Sequence, residues 1–180
     1  MNRRHCMAWM AVAVLAGGCQ TDGNGTLHAR WASIDTTLRN GTLSLPVRAT
    51  WCESRGRLML LALRGDTGVG ILVRTVRLGP GRFDVADTAA RPSPGASIAL
   101  RVTVGDNLFA LSADSGVAAL TSVGGQLDGR FVAWLSRPAL SPVTLVGDFA
   151  AVPVETDSVR CEALAEPPAM LPAAPDSGVT

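Results

Sequence analysis

Lysine and tyrosine are absent from this 180-residue chain, and aromatic residues make up 4% of it. All sixteen basic side chains are therefore arginines. Residues 19–180 contain fourteen of them and fifteen acidic side chains. A near-neutral chain with dispersed arginines lacks the basic surface that nucleic acid requires. The tryptophans are scattered too, which argues against a stacking stripe for single strands. We expect no nucleic-acid partner.

Residues that bind metals or carry out nucleophilic catalysis are also scarce. Beyond the first eighteen residues, His28 is the remaining histidine, and no Cys-x-x-Cys pair or recognisable nucleophile accompanies it. The segments Gly79-Pro80-Gly81 and Gly124-Gly125 are typical of turns, because neither opens a helix as a phosphate-binding loop does. We therefore expect no metal, no cofactor and no catalytic residue.

The first eighteen residues have the pattern of an export signal. Arg3 and Arg4 form a basic segment, residues 7–16 form an apolar run, and small residues follow. The apolar run is too short to span a bilayer as a permanent anchor. We interpret residues 1–18 as a signal peptide that is removed from the mature protein.

The segment Leu15-Ala16-Gly17-Gly18-Cys19 resembles the lipobox of bacterial lipoproteins, although its leucine stands one place earlier than usual. In that family the cysteine is acylated and becomes the mature N-terminus, so the resemblance implies lipidation at Cys19 and attachment to a membrane leaflet. The next residue is Gln20 and not Asp, which resembles the pattern of outer-membrane lipoproteins in Gram-negative bacteria. A simple secretory signal is the alternative. Residues 19–26, polar and Gly-rich, are expected to form a flexible tether.

Two cysteines remain for the mature domain, because Cys6 lies in the signal and Cys19 is expected to be acylated. Two thiols in an oxidising compartment predict one disulfide, between Cys52 and Cys161. It would join the second strand to the segment after the last one. The chain-entropy model gives such a long loop about 4 to 5 kcal/mol of stabilisation as an upper figure. Two free thiols are the alternative.

A stretch of twenty-eight residues, 60–87, recurs forty-eight positions later as residues 108–135, with ten identities. Each copy contains an apolar run, Asp-(Thr/Ser)-Gly, a second apolar run and Gly-Arg-Phe. This pattern predicts a hairpin followed by a third strand. It also predicts that Asp66 and Asp114 occupy equivalent turns, and that Phe83 and Phe131 occupy equivalent core positions.

Alternation with a period of two predicts the other strands. The first two are expected at residues 27–38 and 42–52, joined by a type I′ turn at Asn40-Gly41, and Pro46 indicates an edge or a bulge. The last two, at about 127–136 and 143–154, share a Leu-x-Gly-x-Phe-x-Ala pattern eighteen residues apart. Phe131 and Phe149 should therefore lie in the core, with each glycine leaving room beside a ring.

About ten such strands, joined mostly by short turns, predict an all-β domain over residues 27–161. We expect an antiparallel meander of about 8–10 strands that closes into a barrel or a two-sheet sandwich. Alternation shows which residues are buried but leaves the choice between these closures open. Residues 162–180 are Pro/Ala-rich without a period, and we expect them to be disordered.

The pair Asp66-Thr67-Gly68 and Asp114-Ser115-Gly116 resembles the two Asp-(Thr/Ser)-Gly loops of pepsin-like aspartic peptidases, in which two carboxylates share a proton. The flanking residues differ from that family, the copies are close for two lobes, and a flap tyrosine is missing. A turn, with Asp accepting backbone hydrogen bonds and Gly at positive φ, accounts for the same residues. It also accounts for the adhesion-like tripeptide Arg64-Gly65-Asp66. We expect no enzymatic activity.

The lipobox, tether, β-meander and cysteine pair together resemble the small lipoproteins of unknown function of Gram-negative bacteria. The resemblance implies a cell-envelope β-domain anchored to a membrane by lipid. We predict a non-enzymatic domain that binds a protein or glycan partner or has a structural role. The alternative is a calycin-like carrier of a small apolar ligand. An open apolar cavity of some hundreds of Å³ would favour the carrier, and a core filled by Phe, Leu and Val would not.

Overall fold

A computed structural model describes residues 25–34, 38–86, 93–123, 125–136, 141–156 and 161. Nine strands and one short 3-10 turn, η1, lie within these ranges. In chain order they are β1 Gly25–Ser33, β2 Gly41–Cys52, η1 Glu53–Arg55, β3 Arg57–Arg64, β4 Thr67–Arg74, β5 Gly81–Ala86, β6 Gly95–Val104, β7 Asn107–Val123, β8 Gln126–Ser136 and β9 Val143–Glu155. The predicted all-β class is confirmed.

The nine strands form one sheet that closes on itself in the order β1-β2-β3-β4-β6-β5-β7-β8-β9. Closure comes from β1, which pairs antiparallel with β2 on one side and with β9 on the other. Most neighbours in space are also consecutive in the chain and antiparallel, as a meander requires. Closing the ring pairs strand edges that would otherwise attract other chains.

β5 is the exception to the meander. β4 pairs directly with β6 over seven residue pairs, whereas β5 is inserted between β6 and β7 and pairs with β7 over six. Its contact with β6 is a single parallel pair, Val85 with Ala96. β5 is therefore an addition at one end of the ring.

β2 and β7 each change partner along their length. Residues 41–47 of β2 pair with β1 and residues 48–52 with β3, while residues 107–112 of β7 pair with β6 and residues 115–120 with β5. Strands that switch in this way form the corners between two packed sheets. The ring therefore has two walls, which we call the β9 wall (β8, β9, β1 and residues 41–47) and the β4 wall (β3, β4 and β6). Pro46 is exposed, pairs in regular register with Thr26 of β1 and precedes the residues of β2 that pair with β3, so it occupies an edge position and not a bulge.

The core contains the alternate, inward-facing residues of all nine strands. The predicted use of glycine beside large rings is confirmed on β8 and β9, where the two copies of the eighteen-residue pattern pair antiparallel with each other. Gly129 is opposite Phe149, and Gly147 is opposite Phe131. A Cβ on Gly129 would lie 2.3 Å from the Phe149 ring, and one on Gly147 would lie 2.5 Å from the Phe131 ring. Each copy thus provides the space that the ring of the other copy occupies.

The third strand of the forty-eight-residue repeat has the predicted structural equivalence. Phe83 on β5 and Phe131 on β8 are both buried and lie opposite the same residue, Ala118, on either side of β7. Arg82 and Arg130 flank Ala119 in the same way. The two Gly-Arg-Phe segments therefore run parallel to each other in one register with β7 between them.

The prediction that Asp66 and Asp114 occupy equivalent turns is wrong. Asp66 lies in the tight turn between β3 and β4, which Gly65 permits with a φ of +58°. The second copy has the buried Ala113 in place of Gly65, and the chain continues as one strand, β7, with a bulge at Asp114. The hairpin predicted for the second copy is therefore a single strand, β7.

Two boundaries at the start of the domain also differ from the predictions. β1 begins at Gly25, so the last two residues of the expected tether, Gly25 and Thr26, belong to the sheet. Asn40-Gly41 is not a two-residue hairpin turn, because Gly41 is already paired with Trp31 and six residues separate Ser33 from Asn40. Gly41 is required for packing instead: a Cβ there would lie 2.1 Å from the Trp31 indole.

Candidate functional site

The predicted disulfide lies within the described residues, whereas the predicted lipidation site does not. Cys19, the expected lipidation site, lies outside the described residues, as do residues 1–18 and 162–180. Cys52 and Cys161 are joined by a disulfide across a sequence separation of 109 residues, as predicted. The bridge ties the end of β2 to the segment that follows β9.

The two Asp-(Thr/Ser)-Gly motifs are not brought together as a carboxylate pair. Asp66 is exposed at the β3–β4 turn, where its carboxylate accepts a hydrogen bond from the Arg101 guanidinium at 3.1 Å. Asp114 is exposed in the bulge of β7. The partner of Asp66 is thus an arginine on β6. Arg64-Gly65-Asp66 does occupy a hairpin tip, and turn geometry explains its residues.

An open groove of about 670 Å³ lies on the outer face of the β9 wall. Strands β2, β1, β9 and β8 lie side by side there. Alternation on β1 sends Leu27, Ala29 and Trp31 into the core and the intervening side chains outward. The polar side chains that line the groove are those of His28, Arg30, Thr42, Ser44, Arg130 and Asp148.

Four of these side chains, which we call the polar row, are direct neighbours across four strands. His28 on β1 is paired with Ser44 on β2 and with Asp148 on β9, and Asp148 is paired with Arg130 on β8. All four are exposed. Because the Cβ atoms of opposite residues lie about 4.5–5.5 Å apart, the row presents a hydroxyl, an imidazole, a carboxylate and a guanidinium in one line.

Ser44, His28 and Asp148 are the residue types of a hydrolase triad, but their setting differs from one. Among the described contacts, no hydrogen bond joins His28 to either neighbour. β1 is paired along both edges, which engages the backbone N–H groups that an oxyanion would need. The row is therefore suited to hydrogen bonding a ligand from an exposed surface.

Trp134 extends the outer face beyond the polar row. It lies on β8, four residues after Arg130 and opposite Thr144 of β9, and its side chain is 49% exposed. Val132 lies between them and opposite Val146, which lines the groove. The β9 wall therefore changes from a polar surface to an exposed indole along one strand.

Large side chains occupy the inside of the ring. The fully buried residues with the largest volumes include Phe131, Phe149 and nine leucines, eight of which lie on six of the strands. The rings of the two phenylalanines fill the space beside Gly147 and Gly129. Phe, Leu and Val side chains therefore make up most of the core.

The polar row cannot be recognised in the sequence, because its members are far apart in the chain and become neighbours only through strand register. The signal that could have identified it is the outward position of each residue on its own strand. Among the described residues no group of three or more metal-binding side chains is present. No helix in the described ranges is long and apolar enough to cross a membrane.

Comparison of the chain with protein-family models, with curated proteins and with solved structures finds no match.

Proposed function

We propose that this protein is a cell-envelope lipoprotein, tethered to the outer membrane through Cys19, whose β-domain binds a glycan without catalysing a reaction. The observation that carries the proposal is the polar row on the β9 wall, with Trp134 on the same face. The anchor rests on the lipobox-like segment that ends at Cys19.

A glycan suits this surface better than a protein. Protein interfaces have cores that are depleted of charged residues. The groove instead exposes hydroxyl, imidazole, carboxylate and guanidinium groups, which can donate to and accept from sugar hydroxyls. An indole offers an apolar face and a polar N–H on the same side chain, as a sugar ring requires. With two arginines and one aspartate, the groove favours a glycan that carries carboxylates.

The calycin-like carrier has less support. A barrel that carries a ligand leaves an apolar space inside, whereas here Phe131 and Phe149 pack into the spaces left by glycines. The groove on the outer face is polar and open, which is unfavourable for a small apolar ligand. The carrier hypothesis therefore ranks second.

Arg130→Ala tests the proposal, with Arg82→Ala as the matched control. The two arginines are repeat equivalents that flank Ala119, but only Arg130 lines the groove. We expect soluble peptidoglycan fragments to bind the wild-type protein, and Arg130→Ala to weaken binding about tenfold or more, since a hydrogen bond to a charged group is worth about 1.5–3 kcal/mol. Arg82→Ala should leave affinity unchanged. Isothermal titration calorimetry measures both.

Two results would contradict the proposal. If neither peptidoglycan fragments nor a neutral polysaccharide bind, the groove is not a glycan site. If the two arginine variants weaken binding equally, the interaction depends on overall charge and not on the polar row. Intact mass measurement of the protein from its own membrane tests the anchor separately, since acylation at Cys19 adds the mass of the acyl chains.

A further inference from the structure

Trp134 is the tryptophan of the described chain that the core does not account for. Trp31 is buried, and its indole N–H donates to the Arg39 carbonyl at 2.8 Å, while Trp51 packs partly buried against the core. Trp134 instead projects outward from β8 and is 49% exposed. An indole left half in water loses much of the stabilisation that full burial would give. Packing of the core therefore does not explain a tryptophan at this position.

Three valines separate Trp134 from the polar row. Val132 is opposite Val117 of β7 on one side and opposite Val146 of β9 on the other. All three lie on the outer face, where Val132 is 37% exposed and the other two are half-buried. We call them the valine row. Cross-strand packing among these side chains stabilises the sheet, and it also leaves a continuous apolar strip on the outer face.

Arg130 and Trp134 are the two large side chains on this outer stretch of β8, and Val132 lies between them. The residues opposite Trp134 are short: Ser115 on β7 and Thr144 on β9. Neither is large enough to cover an indole, in agreement with the exposure of Trp134. Along β8 the outer face therefore presents a guanidinium, an apolar strip and an indole, in that order.

The separation of Arg130 and Trp134 sets a minimum length for a ligand that contacts both. Four residues of strand place their Cα atoms about 13 Å apart. A single sugar ring is shorter than this distance, so an acidic sugar held at Arg130 does not also stack on the indole. The next ring of a chain would lie over the valine row, where its apolar C–H face and the valines are both removed from water.

We propose that the site takes a linear oligosaccharide that lies along β8, with an acidic sugar at Arg130 and a neutral sugar stacked on Trp134. This inference rests on the proposed glycan function and adds the length and the order of the sugars. Charge fixes the acidic position, because Arg30 and Arg130 lie on either side of β9 in the same groove. The neutral position follows from the cross-strand neighbours of Trp134, Ser115 and Thr144, which carry no charge. A chain of alternating carboxylated and neutral sugars, as in peptidoglycan, meets both requirements.

The test compares N-acetylmuramic acid with a peptide-free peptidoglycan tetrasaccharide, each titrated into the full-length protein by isothermal titration calorimetry. We expect the tetrasaccharide to bind about tenfold more tightly or better, since covering a half-exposed indole and the apolar strip is worth a factor of this size. Trp134→Ala should remove that difference and leave the affinity for the monosaccharide unchanged. Trp134→Phe keeps an aromatic ring and should retain most of the difference. The control is Leu61→Ala on the β4 wall, because Leu61 is similarly exposed, at 44%.

Tryptophan fluorescence gives a second measurement that does not depend on the alanine variant. The tetrasaccharide should shift the emission of the wild-type protein to shorter wavelength, because stacking removes the Trp134 indole from water. The monosaccharide should not cause this shift. Trp134→Phe should lose the shift, since the remaining described tryptophans, Trp31 and Trp51, pack in or against the core.

Equal affinity for the monosaccharide and the tetrasaccharide would show that the site holds one sugar, and would overturn this inference while glycan binding at the polar row stands. An equal loss in Trp134→Ala and Leu61→Ala would overturn it too, because the effect would not be specific to the face of β8. If neither ligand binds, or if Arg130→Ala changes the affinity for neither, the proposed function fails and this inference fails with it.

Discussion

At the residue scale, the reciprocal pairs of glycine and phenylalanine on β8 and β9 leave no room for a larger residue at either glycine. Gly129→Ala places a Cβ 2.3 Å from the Phe149 ring and 2.5 Å from the Ala119 carbonyl oxygen. We expect it to lower the free energy of unfolding by about 1–3 kcal/mol, because overpacking forces the ring or the strand to move. Urea unfolding followed by circular dichroism measures the loss.

Gly70→Ala is the matched control for this prediction. Gly70 also lies within a strand, but a Cβ there meets only the Leu61 side chain, at 3.8 Å. Its effect should stay within about 0.5 kcal/mol. Combining Gly129→Ala with Phe149→Leu should cost less than the sum of the two single changes, since the smaller side chain leaves room. Strict additivity of that pair would contradict the packing.

The sequence predicts that these phenylalanines are buried but not which residues they contact. The positions of Phe131 and Phe149 in the core could be predicted, because both stand on the apolar face of a clean period-two strand. The contact of each ring with a particular glycine required the register of β8 against β9. The polar row depends on register in the same way. Residue types therefore predicted which side each group faces, and strand pairing decides which groups meet.

At the element scale, the bulge in β7 sets which side chains enter the core. Before the bulge Leu111 and Ala113 are buried, whereas after it Ala118 and Leu120 are buried, so the inward-facing positions change from odd to even numbers. Asp114 is the extra residue that produces this shift. At this point the sequence alternation predicts two separate strands. A bulge within one strand interrupts the period of two in the same way as a turn between two strands.

Deleting Asp114 should therefore be far worse than replacing it. Without the extra residue, one half of β7 must turn its apolar side chains outward, because a one-residue slip reverses the faces. We expect the deletion variant to be insoluble or unfolded. Asp114→Ala should stay within about 0.5 kcal/mol of the wild-type protein, since its side chain is exposed. Soluble yield and circular dichroism compare the two, and a well-folded deletion variant would contradict this account.

At the scale of the whole molecule, the all-β class and the meander could be predicted, whereas the manner of closure could not. Short turns and alternating strands determine the class. Closure depends on β2 and β7 changing partner midway and on the insertion of β5, which β4 bypasses to reach β6. These are long-range pairings, and no local pattern in the sequence encodes them. The sequence does not distinguish a barrel from a sandwich, and the ring combines features of both.

The disulfide acts on the whole molecule, because it joins β2 to residue 161 across most of the folded chain. Cys52→Ala with Cys161→Ala should lower the free energy of unfolding by up to about 4 to 5 kcal/mol, the loop-closure entropy of a loop this long. Urea unfolding of the oxidised protein, the reduced protein and the double variant measures it. The reduced protein should resemble the double variant, and reductant should not affect the latter. Equal stability of all three would show that the native contacts at this end of the ring are sufficient without the bridge.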